Sequence, residues 1–133
     1  MQYKSGYKYQ LHRNYSVVTS IKPPVTIDTK YIWLFSDGGL QIKSGYAWDG
    51  ASWAIDTKSF MRGSLVHDAL YQLFREGHLD PIEFKDSADR LLQSICREDG
   101  MFKARAWWVY KGVKRGGWSS TSRRSVKQIR TAP

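Results

Sequence analysis

The spacing of apolar and polar positions changes midway along the chain. Up to about residue 50 the apolar residues come in short runs or alternate at a period of two. Tyr15 to Thr19 is β-branched and aromatic, Pro23-Pro24 breaks that run, and Tyr31 to Phe35 is a short apolar segment fit for a well-buried strand. Ser36-Asp37-Gly38-Gly39 supplies turn chemistry, after which Leu40, Ile42 and Tyr46 return to alternation, so the stretch predicts a hairpin. From about residue 57 the period becomes helical. Met61, Leu65, Ala69, Leu70 and Leu73 form one stripe of a helix from Thr57 to Glu76, with Gly77 placed to end it. Asp80-Pro81-Ile82-Glu83 starts a second helix: Asp80 caps, Pro81 suits the first position and Glu83 can close a capping box. That helix carries Phe84, Ala88, Leu91, Leu92 and Ile95 inward and ends at Gly100. The short link from Gly77 to Asp80 makes the two helices antiparallel neighbours. A third helix is predicted from Met101 to about Lys114, stopped by Gly116-Gly117. The expectation is an α+β fold, with an N-terminal antiparallel β region packed on a three-helix C-terminal half that contains an antiparallel pair. Residues 1–118 are expected to form one domain, and 119–133, rich in Ser, Thr and Arg, a disordered basic tail.

Charge sharpens this division. All 12 acidic residues and 12 of the 21 Lys and Arg lie in residues 1–100, which therefore sum to zero. Lys103, Arg105, Lys111, Lys114, Arg115, Arg123, Arg124, Lys127 and Arg130 carry the whole formal charge of +9. A neutral body with a cationic end calls for an anionic partner: phospholipid head groups, nucleic acid or an acidic host or phage macromolecule. A solubilising tail is the plainer alternative. No apolar run reaches the ~18 residues of a transmembrane helix, and Met1 to Tyr9 has no apolar core of a signal peptide. Cys96 is the single cysteine, so no internal disulfide is expected and a reducing compartment is the simple inference.

Candidate chemistry gathers on the first two helices. His67 and Tyr71 are four apart and share a face, while Asp89 sits one residue off the Ala88 stripe, at the border of the seam between the helices. An antiparallel pair can then set a carboxylate against an imidazole, the geometry of an oriented general base. Asp89 can equally pair with Lys85 or Arg90, and a helix-borne His is more often structural than catalytic. Asp68 points about 100° away from His67, toward whatever loop flanks that side. A carboxylate beside a bent loop with exposed carbonyls is a hard, oxygen-rich site of the kind calcium takes. In Gly45-Tyr-Ala-Trp-Asp-Gly-Ala-Ser52 the carbonyls of Tyr46, Trp48 and Gly50 alternate, and Asp49 offers a second carboxylate.

Two resemblances follow from these residues. The segment 45–52, His67-Asp68-Ala-Leu-Tyr71 and Ala88-Asp89 together resemble a family of small phage and prophage proteins of unknown function, over most of residues 30–115. That likeness implies a phage origin, and with it the host cytoplasm or the virion as the location. His67-Asp68-x-x-Tyr71 followed by Ala88-Asp89-Arg90 is also similar to the active-site helices of phospholipase A2, over roughly a third of the chain. This second resemblance implies that His67 activates water, that Asp68 binds calcium with the carbonyls of Tyr46, Trp48 and Gly50, and that Tyr71 and Asp89 hold the His. The N-terminal β region has no counterpart in that family.

Three functions are therefore open. One is a calcium-dependent ester hydrolase at an anionic lipid interface, which the cations and Trp107, Trp108 and Trp118 would suit. Another is a non-enzymatic phage protein, a virion component or a modulator of a host protein, with a structural His-Asp cluster and a cationic docking tail. The third is nucleic-acid binding, favoured by charge but by no recognised motif.

Overall fold

A computed structural model of the protein describes residues 3–4, 9–48 and 58–122. Among these residues, seven short strands precede three helices. Strands β1 (Tyr3–Lys4), β2 (Tyr9–Leu11) and β7 (Ala47–Trp48) form one sheet in the order β1-β2-β7. Strands β3 (Tyr15–Val18), β4 (Ile27–Asp28), β5 (Ile32–Leu34) and β6 (Gly39–Ile42) form a second in the order β3-β6-β5-β4. Every pairing is antiparallel. The hairpin read from the sequence is β5–β6, with Leu34 opposite Leu40 and Ile32 opposite Ile42. Its turn needs Gly38: φ is +97° there, and a Cβ would lie 2.2 Å from the Thr19 carbonyl oxygen. The inward residues Ile32, Leu34, Leu40 and Ile42 are all sealed from solvent.

The helices are α1 (Lys58–Arg75), α2 (Pro81–Glu98) and α3 (Lys103–Gly116), followed by a single 3-10 turn at Trp118–Thr121. The Asp80 carboxylate accepts the Ile82 N–H at 3.0 Å, so α2 starts where the Asp-Pro signal put it. Helix α3 starts two residues later than the spacing predicted. Phe102 is extended (ψ 146°), and Met101 is buried in the core instead of opening the helix. The first residues of the expected tail lie in the 3-10 turn, where Thr121 is buried and Arg75 donates to the Ser120 carbonyl at 3.2 Å. Residues 123–133 of that tail lie outside the described residues.

One apolar cluster joins strand residues such as Leu11, Leu40 and Trp48 to Leu65, Leu70 and Ala88 of α1 and α2. The stripe predicted for α1 is that buried face. A smaller cluster of Phe60, Leu92, Cys96, Met101, Ala106 and Val109 fastens α3. Burial pushes the Cys96 thiol up to about 12, so this cysteine packs as an apolar group and not as a nucleophile. Arg62 of α1 closes the other side, with Asp99 at 3.0 Å, Glu98 at 2.6 Å and the Tyr15 hydroxyl at 2.9 Å. The strands, α1 and α2 therefore share one core, along which α1 and α2 pack against each other.

Candidate active site

Helix α1 sets His67 and Tyr71 one turn apart, their ring centroids 4.1 Å from each other. Asp89 of α2 meets both. His67 Nε2 lies 2.8 Å from Asp89 Oδ1, and the Tyr71 hydroxyl donates to the same oxygen at 2.7 Å. The second oxygen, Oδ2, accepts from the Lys85 ammonium at 2.7 Å. Asp89 is fully buried. Burial by itself would raise its pKa, but the bonds from His67, Lys85 and Tyr71 outweigh it and hold the carboxyl below the usual carboxylate range. Burial, and then the hydrogen bond to Asp89, push the Tyr71 hydroxyl well above its ordinary value, so it stays a donor.

An ionised Asp89 only accepts, so a neutral His67 carries its proton on Nε2 and leaves a lone pair on Nδ1. Nδ1 has no hydrogen-bond partner among the described residues. It is not among their sealed unpaired atoms either, and the His67 side chain is 14% exposed. The arrangement is a base oriented from behind and open in front.

Lys85 extends the network to a third helix. Its ammonium donates to the carbonyls of Val113 and Lys114, both at 3.2 Å, where the end of α3 concentrates partial negative charge. It also lies 5.0 Å from the centre of the Trp118 ring. Gly117 makes this approach feasible, because a Cβ there would sit 2.4 Å from the Tyr71 hydroxyl oxygen and 3.1 Å from Lys85 Cε. We expect Gly117→Ala to destabilise the fold by roughly 1–3 kcal/mol through overpacking. Gly116→Ala, where a Cβ would meet nothing within 4 Å, is the control and should leave the chemical denaturation midpoint unchanged. Equal midpoints for the two variants would contradict the contact.

The expected calcium ligands are arranged differently. Tyr46 does meet Asp68, but through its hydroxyl, which donates to Asp68 Oδ2 at 2.7 Å. The Tyr46 carbonyl instead accepts the Leu11 N–H at 2.8 Å. The loop continues as a sheet edge at this point, and β pairing takes up the carbonyl. Burial, then the Asp68 charge, raises the Tyr46 pKa well above its ordinary value. Trp48 stands in β7 opposite Tyr9, and its indole N–H donates to Ser64 Oγ at 3.0 Å. Asp49 and Gly50 lie outside the described residues. Calcium takes six to eight oxygens. The described residues offer it Asp68, one oxygen of which already holds Tyr46, and no group of three or more His, Cys, Asp or Glu comes together among them. They do not by themselves fit the ion.

The cations Lys103, Arg105, Lys111, Lys114 and Arg115 all stand on α3. Arg123 and Arg124 lie outside the described residues. A cleft of about 630 Å³ opens elsewhere, between residues 23–28 and the α1–α2 turn, and none of the His67 network lines it.

Three contributors were not assigned a role by sequence reasoning: Lys85 as a buried ion, Gly117 as a point of contact, and Tyr46 as a hydroxyl donor. The i,i+4 spacing of Lys85 and Asp89 was the available signal for the first, since such a pair is usually a solvated one. Comparison with protein families, with curated proteins and with solved structures finds no match.

Proposed function

We propose that the protein is a hydrolase of the phospholipase A2-like type, of phage origin, acting on esters of anionic phospholipid with His67 as general base. One observation carries the reading: His67 has Nε2 committed to a buried carboxylate and Nδ1 without a hydrogen-bond partner among the described residues, on a side chain 14% exposed. In the reaction a water donates one proton to Nδ1 while its oxygen bonds to the ester carbonyl carbon. Asp89 stabilises the imidazolium so formed, and Tyr71 keeps the carboxylate in place. When the tetrahedral adduct collapses, the bond to the alcohol oxygen breaks and Nδ1 returns the proton to it. In the phospholipase resemblance the Asp after the His holds calcium. No step here runs through a metal, since the described oxygens do not form that site.

The test is fatty-acid release from phosphatidylglycerol vesicles by the purified chain, with calcium and with chelator. Release in either condition is expected. Chelator-sensitive release would assign Asp68 and the residues beyond Trp48 a share in the site. No release from these vesicles, or from soluble carboxylic and phosphoric esters, in both conditions would overturn the reading.

A second reading draws on Lys85. It neutralises Asp89 and ties α1, α2 and α3 at one point, as a purely structural network in a non-enzymatic phage protein would. That reading predicts the same stability effects and no turnover.

A further inference from the structure

Helix α3 is held on one side only. Ala106, Val109 and Tyr110 are buried, and Val113 packs against the same cluster. The other side carries Lys103, Trp107, Trp108, Lys111, Lys114 and Arg115. Trp107 is 47% exposed and Trp108 68%. No acidic residue occurs in the helix. The carboxylate of Asp86, whose charge Lys114 feels, is already held by Arg90 and the Tyr110 hydroxyl. Phe102 before the helix and Trp118 after it are exposed as well, so bulky aromatics run its length.

We propose that this outward face of α3 docks on an anionic phospholipid surface, with Trp107 and Trp108 at head-group depth and Lys103, Lys111, Lys114 and Arg115 against the phosphates. Charge complementarity selects an anionic occupant. The aromatics select a lipid one, because indole rings prefer the boundary between head groups and acyl chains. The two rings meet edge to face (centroids 5.6 Å apart, 78° between planes), and the Lys111 ammonium covers Trp107 at 5.3 Å. A T-shaped pair with one face occupied is a poor platform for successive stacked bases. The face also ends at the site: Lys114 gives its carbonyl to Lys85, and Gly117 touches Tyr71. The inference rests on the proposed hydrolase only for what the docked protein then does.

The experiment is flotation of the full chain with vesicles of phosphatidylglycerol or of phosphatidylcholine, alongside tryptophan emission. Binding to the anionic vesicles, a blue shift, and weakening as salt rises are expected. Lys103→Glu with Lys111→Glu should weaken binding by about 25-fold or more, at about fivefold for each cation lost. Trp107→Ser with Trp108→Ser should remove most of the blue shift. Both double variants should keep the wild-type melting curve and hydrolyse a soluble short-chain ester at the wild-type rate. Binding is measured again on His67→Ala. Vesicle binding retained there, with no turnover in any variant, upholds the docking face and ends the hydrolase reading. Failure of the wild type to bind anionic vesicles at low salt overturns the proposal. So does wild-type binding by both double variants, or displacement of bound protein from vesicles by equimolar single-stranded DNA.

Discussion

Asp89→Asn should lower the stability of the fold by about 3–5 kcal/mol, the range for breaking a buried ion pair from one side. The loss of a single hydrogen bond would cost only ~0.5–1.5 kcal/mol. The difference comes from Lys85, whose side chain is 3% exposed and whose counter-charge disappears. An amide still offers an oxygen to Tyr71, but the ammonium is left with the Val113 and Lys114 carbonyls and the Trp118 ring, none of which carries a counter-charge. Adding Lys85→Met to Asp89→Asn should therefore recover a large part of the loss. Urea denaturation of the single and double variants is the measurement, and a single-variant loss under about 1 kcal/mol would show that Lys85 reaches water. The pH dependence has a defined sign. The Asp89 pKa is lowered in the fold, so its contribution is complete above the ordinary value of 3.8 and is lost as pH falls through the folded value. The Tyr71 pKa is raised, so its contribution is complete below 10.0 and is lost as pH rises beyond. The asparagine variant should lack the acid limb that belongs to Asp89.

Local features carried most of the architecture. The hairpin was legible because turn residues separate two alternating runs, and α2 because Asp80-Pro81 acts within one turn. His67 and Asp89 were legible as a pair because a short link between two amphipathic helices leaves few ways to pack them. Contacts that depend on three elements at once were not legible. Lys85 of α2 meets the carbonyls at the end of α3, and the approach is close at residue 117, where a Cβ would sit 3.1 Å from Lys85 Cε. The carbonyl of Tyr46 was read as a loop ligand, but strand β2 takes it through the Leu11 N–H, a pairing between residues 35 positions apart that no local pattern records. The hydroxyl of the same residue then becomes the group that reaches Asp68, across 22 positions.

His67→Ala should separate catalysis from stability more sharply than any other single change. The imidazole is one of three donors to Asp89, and Tyr71 and Lys85 remain when it is removed. The carboxylate stays paired, so the stability cost should be that of one hydrogen bond, ~0.5–1.5 kcal/mol. Turnover should fall by ~10²–10⁴, because the proton acceptor for the attacking water is gone. Tyr71→Phe leaves His67 and Lys85 in place and should reduce turnover least. Asp89→Asn should fall between the two in turnover while being the least stable of the three, since it orients the ring but does not receive the proton. The two rankings, one by rate and one by stability, are thus expected to differ. Rates and urea midpoints for the three variants, compared below the onset of unfolding, test this directly. A wild-type rate in His67→Ala would remove the base from the mechanism. Rates that merely track the fraction folded would assign the whole network to holding α1, α2 and α3 together.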